Sequence, residues 1–99
     1  MMTVETYASV WDALADSPEQ AANLRARAEL MQAMAQHVRR HGWTQAEAAH
    51  RCGVTQPRMN DLLRGRMSRF SLDALINMAT AAGLRVHIEA LEPAEPAAA

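Results

Sequence analysis

The sequence predicts an all-α domain of five helices closed by one short C-terminal β-strand. Three observations predict it: apolar residues recur at helical spacing along most of the chain, successive cap signals divide it into segments, and residues 84–90 alone alternate strictly between apolar and polar.

The elements follow in order. Val4, Tyr7, Trp11, Leu14 and Ala15 suggest a first short helix, although no cap announces it. Ser17-Pro18-Glu19-Gln20 then offers an N-cap, a proline at the first helical position and a Ser-x-x-Gln capping box, which together satisfy amides that have no partner within the first turn. Leu24, Ala28, Met31, Ala35 and Val38 continue at helical spacing, Leu30 and Met34 widen the apolar face, and Gly42 stops it, so a long helix is expected over residues 18–41. Trp43-Thr44-x-x-Glu47 repeats the start signal and predicts a helix of about two turns, residues 45–52, ending at Gly53. Thr55 caps the next, over residues 56–64, with Pro57 tolerated in the first turn and Val54 able to pack on Met59. Phe70 and Ser71 open a last amphipathic helix with Leu72, Leu75, Ile76 and Ala79 inward and Gly83 closing it.

The alternation that follows puts Leu84, Val86 and Ile88 on one face, the period-two signature of a half-buried strand. A lone strand leaves its amides unpaired, so a mate is required: a second copy, a strand of another protein, or Thr3 to Thr6. The chain offers no second convincing strand, and an intermolecular mate is therefore expected. Residues 92–99, rich in Pro and Ala, read as a flexible tail after a single domain over residues 1–91.

With 99 residues and 10.9 kDa, folding hides about 60–65% of the extended chain's surface, enough for a helical core but not for a deep, walled catalytic cavity. No apolar run exceeds three residues, which argues against a membrane-spanning helix or a secretory signal and leads to an expected cytoplasmic location. Cys52 is the sole cysteine, so no internal disulfide and no paired-thiol zinc site can form. Its place next to a turn glycine suits a small core residue. His37 and His41 stand four apart, yet no third ligand lies nearby in sequence, and neither a metal nor another cofactor is expected. No nucleophile-base-acid set or phosphate-cradling glycine loop is present, and an enzyme is not expected.

The formal charge of −1 hides an asymmetry. Residues 39–69 hold seven Arg against Glu47 and Asp61, whereas the segments on either side each sum to −3. A basic middle third with acidic flanks is a candidate face for an anionic ligand. In that third, two short helices are joined only by Gly53-Val54-Thr55, a link that stays tight only with small residues such as Ala49 and Gly53 at the crossing. Met59, Leu62 and Leu63 form the expected inward stripe of the second short helix, leaving its N-terminal end free for a DNA major groove. The motif spans about residues 44–65.

The run from Thr44 through Gln45, Ala49, Gly53 and Gln56 to Arg66, followed by Phe70-Ser-Leu-Asp-Ala-Leu, resembles the helix-turn-helix domain of the lambda-repressor-like (XRE) family, and within it the HigA-type antitoxins of bacterial toxin-antitoxin modules. The resemblance covers about residues 10–90, including Ser9-Val-Trp-Asp-Ala-Leu and Gly83-Leu-Arg-Val. It implies a cytosolic homodimer that represses its own operon at a palindromic operator and binds a toxin, typically a RelE/HigB-like mRNA interferase. Gln45 matches the family's glutamine for the DNA backbone, and Gln56 its common base-reading glutamine.

Chemistry extends the candidate DNA-contacting set. Beside the capping Thr44 and Thr55, Pro57, Asp61 and Arg64 lie opposite the inward stripe, with Arg58 and Asn60 on its flanks. Arg58 can reach guanine or a phosphate, and Arg64, Arg66 and Arg69 are placed to follow phosphates. Asp61 would repel phosphates unless it pairs with Arg58 or Arg64 or accepts from a cytosine amino group. Pro57 stands where many relatives carry a polar reader. Two other functions fit the same residues: a stand-alone phage-type repressor without a toxin, and a helix-turn-helix adaptor that binds protein only.

Overall fold

The computed structural model describes residues 17–89. Four α-helices and one short 3-10 turn follow one another: α1 Pro18–His41, α2 Gln45–Cys52, α3 Gln56–Leu63, the turn Met67–Arg69, and α4 Leu72–Ala81. Each α-helix starts at a side-chain cap. Ser17 accepts from the Gln20 amide, Thr44 from Glu47, Thr55 from Arg58 and Ser71 from Ala74, at 3.1–3.3 Å. The same local chemistry that marks these starts in the sequence therefore operates in the fold. At its other end α3 stops one residue before the expected boundary, with Arg64 as its C-cap.

At about 36 Å, α1 is the platform of the domain. Its buried Ala28, Met31, Met34 and Val38 recur three and four residues apart and face α3, the 3-10 turn and α4. α2 packs against both α3 and α4. Ala48, with no exposed surface, and the buried Ala49 let the helix axes approach closely, and Met59 and Leu62 fill the space from α3. Met31, Met34, Met59, Met67 and Met78 are all buried, as suits an unbranched side chain that fills irregular gaps between short helices. Phe70 and Leu75 complete the centre. In α4, Leu72 and Ile76 are only half-buried, and Met78 joins Leu75 and Ala79 inside.

Two expectations need revision, and two fall outside the described residues. Leu63 does not join the inward stripe but is 38% exposed, because Leu62 occupies the arc facing the core and the next residue lies about 100° further round. Leu63 instead edges a shallow groove of about 280 Å³ against Ala28, Met31 and Ala35 of α1. The C-terminal strand is not formed: residues 84–89 take no strand or bridge pairing, since a ladder needs a second strand and none lies among the described residues. Leu84 and Val86 pack half-buried against the helical core, Arg85 and His87 point out, and Ile88 is 77% exposed, so the alternation reports one-sided packing of an irregular segment on helices. The Leu84 amide donates to the Ala79 carbonyl at 2.9 Å and finishes α4. The suggested first helix and the tail lie outside the described residues.

Gly53 shows how little chain the link between α2 and α3 uses. Its φ of +71° is left-handed, its amide donates to His50, and the Val54 amide donates to Ala49. A Cβ at this position would meet nothing within 4 Å, so the cost of a side chain is conformational alone. Gly53→Ala is expected to lower stability by about 1–2 kcal/mol in urea unfolding. Phe70→Ala, which empties the core, should cost about 3–5 kcal/mol in the same measurement.

Candidate nucleic-acid interface

The link between α2 and α3 is reinforced at its far side. Gln45 Nε2 donates to the Gln56 carbonyl at 3.0 Å, tying the first residue of α2 to the first residue of α3. Thr44, Gln45, Thr55, Gln56 and Pro57 are all exposed there, and Asn60 is half-buried one turn further along α3. An amide, a proline ring and a second amide thus mark the open end of the helix.

The arginines are organised differently from the expectation. Arg58 does not project from α3: its guanidinium carbon lies 4.2 Å from the centre of the Phe70 ring, and its Nη1 donates to the Arg69 carbonyl at 2.9 Å. Asp61 pairs neither with Arg58 nor with Arg64. Its Oδ1 accepts from Arg66 Nη1 at 2.9 Å and from Arg69 Nη1 at 2.8 Å, and its side chain is 17% exposed. Partial removal from water would by itself raise this carboxyl's pKa, but the hydrogen bonds and positive charges of Arg69 and Arg66 outweigh that and hold it below the ordinary carboxylate value. Both bonds use Nη1, which leaves the Nε–Nη2 edge of each guanidinium directed elsewhere, the edge geometry suited to a phosphate. Arg64 is exposed at the C-cap of α3.

Two contributors escape sequence reading. Arg27, in the acidic N-terminal third, crosses from α1 and donates through Nη1 to the carbonyls of Met67 at 3.3 Å and Phe70 at 3.1 Å, with its Nε buried and without a partner. No local spacing could signal bonds across 40 and 43 residues. The second is an aromatic cluster around the half-buried Trp43. His41 stacks on its ring at 4.6 Å, His37 meets it edge-on at 5.2 Å, and the Arg51 guanidinium lies 5.1 Å from its centre. His37 Nε2 donates to the Ala82 carbonyl at 3.0 Å, so the two histidines serve the junction of α1, α2 and α4. Among the described residues no three His, Cys, Asp or Glu side chains gather as metal ligands. Cys52 is buried, and desolvation pushes its thiol pKa up, away from reactivity.

A two-helix unit with a three-residue link, an open N-terminal end on the second helix and a flanking turn rich in arginine defines a DNA-binding helix-turn-helix domain. Residues 13–90 match the family model described as a helix-turn-helix domain, and the chain belongs to that family. A search of curated proteins gives no match. Among the described residues no helix is long and apolar enough to cross a membrane.

The Asp61 ion pairs carry a pH signature. A carboxyl held below its unfolded-state pKa stabilises the fold above the ordinary carboxylate range and loses that contribution as pH falls through the folded value. Asp61→Asn should therefore lower the Tm at pH 7, and the difference from wild type should close on acidification below the ordinary carboxylate range. A Tm difference that is constant across that range would show that the ion pairs contribute nothing to stability.

Proposed function

We propose that the protein is a transcriptional repressor of the lambda-repressor-like (XRE) type and the antitoxin of a type II toxin-antitoxin module, autoregulating its operon and neutralising a RelE/HigB-like mRNA interferase. The observation that carries the reading is the exposed start of α3, fixed by the Gln45–Gln56 bond and flanked by the arginines of the following turn. In this reading a homodimer sets two copies of α3 in successive major grooves about 34 Å apart at a palindromic operator. Gln56, Pro57 and Asn60 face base edges, Thr44, Gln45 and Thr55 approach the backbone, and Arg64, Arg66 and Arg69 neutralise phosphates. The protein needs no metal or cofactor for this, catalyses no reaction and works in the cytoplasm. A basic toxin would dock on the acidic flanks or on residues 84–88, and its binding would alter operator affinity by linkage.

A second reading, a protein-binding adaptor that does not bind DNA, draws on the exposed Ile88 and Leu63 and on the arginines already engaged within the chain.

Fluorescence anisotropy with DNA from immediately upstream of the gene, beside a scrambled duplex and at several salt concentrations, separates the two. A repressor gives tight, salt-sensitive and sequence-selective binding. Weak, equal binding to both duplexes, with or without a bound partner protein, favours the adaptor. Arg64→Ala should weaken binding to every duplex alike and reduce the salt slope by about 1, whereas Gln56→Ala should cost about 1–3 kcal/mol on the cognate duplex and little on the scrambled one. Val86→Asp should disturb self-association or toxin capture, read by light scattering and co-purification, while leaving helix content unchanged.

A further inference from the structure

We infer that residues 4–14, which lie outside the described residues, dock as a helix antiparallel to α1, along a stripe that ends in the groove edged by Leu63. Ala21, Ala28 and Ala35 stand seven apart on α1 and so fall on one line along it, with Leu24 and Met31 beside that line. Ala28, Met31 and Ala35 form one wall of the groove, and Leu62 and Leu63 form the other. Ala21, nearer the start of α1, is buried although it lies outside the core cluster of the described residues. The stripe thus runs from the groove to the end of α1 that receives the preceding chain.

That preceding chain carries the matching pattern. Val4, Tyr7, Trp11 and Leu14 are spaced three, four and three apart, as are Ala21, Leu24, Ala28 and Met31. Two such ladders suit antiparallel helix packing, in which bulky residues on one side fit against small residues on the other. Tyr7 and Trp11 are two of the four aromatic residues in the chain, and large rings contribute most when they are covered. Reach agrees with register. With residues 15–17 as the link, a helix that ends at Leu14 and rises about 1.5 Å per residue brings Val4 about 15 Å back along α1, to the level of Ala28. Charge agrees as well. Residues 1–16 hold Glu5, Asp12 and Asp16 and no basic residue, whereas Arg39 and Arg64 stand at the groove and no acid among the described residues lines it. A groove filled by its own chain is closed to other proteins, and Leu63 then serves the fold rather than an adaptor surface.

The test uses the full chain carrying Cys52→Ala. Val4→Cys with Leu63→Cys should form an internal disulfide in an oxidising glutathione buffer, in a yield independent of protein concentration because both thiols belong to one molecule. Val4→Cys with Glu47→Cys, an exposed position on α2, should lose that disulfide, with helix content checked by circular dichroism. A disulfide that joins two chains and grows with concentration would overturn the same-chain assignment in favour of a second copy. Equal yields from the two pairs, or none from either, would overturn the groove as the docking site. In the unsubstituted chain, amide hydrogen exchange followed by NMR should show residues 8–14 protected, and Leu63→Asp should remove that protection while leaving Met34 and Val38 protected. Exchange of residues 8–14 at the rate of an unfolded chain in the unsubstituted protein would overturn the inference whatever the variants do.

Discussion

Phe70 reaches the core from a turn that has no long helix to support it, and its ring is among the largest fully buried side chains. Burying the ring also draws polar backbone beside it partly out of water, and carbonyls left unpaired there would each cost about 1–3 kcal/mol. Arg27 resolves this by sending one nitrogen to both the Met67 and the Phe70 carbonyls, so that α1 holds the turn as well as the core. The charge brought inward is tolerated because it is hydrogen-bonded on one side, although its Nε is left without a partner. The Phe70 ring then gives Arg58 a surface to lie on, and Arg58 in turn bonds the Arg69 carbonyl. The position of the whole arginine-bearing turn relative to α3 follows from these contacts.

Seven arginines within 31 residues repel one another, and the fold meets the problem where they are most crowded. Asp61 places one carboxylate oxygen between Arg66 and Arg69, where its charge offsets part of their mutual repulsion. The pairing has a functional consequence. A free arginine on a loop must lose its rotamer freedom when it meets a phosphate, whereas Arg66 and Arg69 are already oriented, each with an unused edge. In the DNA-binding reading the cost is one negative charge close to the phosphates. A turn prepared in this way suits an arginine pair that orients the protein on the backbone while other residues read bases.

How much of this could be read from the sequence depends on the range of each interaction. The four N-caps act over three residues, and the expected helix starts at residues 18, 45 and 56 coincide with those observed. Caps compete for amides that have no other partner, so local residue types suffice to locate them. Periodicity is less decisive, because it reports which face is buried and not what buries it. Leu84 and Val86 face inward as the alternation requires, yet their neighbours are helices, and the same period serves an irregular segment laid on a bundle. Leu63 failed for a related reason: on an eight-residue helix the apolar arc is too short to distinguish core from groove edge.

The site is the part that residue types alone could not resolve. Every basic residue in this chain is an arginine, so composition gives no means of separating those that hold the fold from those left for a ligand. Arg27 and Arg58 are committed to carbonyls and a ring, and Arg66 and Arg69 to Asp61, through bonds that span 5 to 43 residues. A charge count over residues 39–69 treats all seven as equivalent and leaves out Arg27, which holds the turn in place. The geometry divides them instead: Arg58 closes the space between α3 and Phe70, and the turn arginines are set beside the helix rather than on its reading end. That division leaves uncharged side chains at the exposed start of α3. In the proposed DNA-binding reading, recognition of sequence and attraction to phosphate would fall to different residues of one small motif.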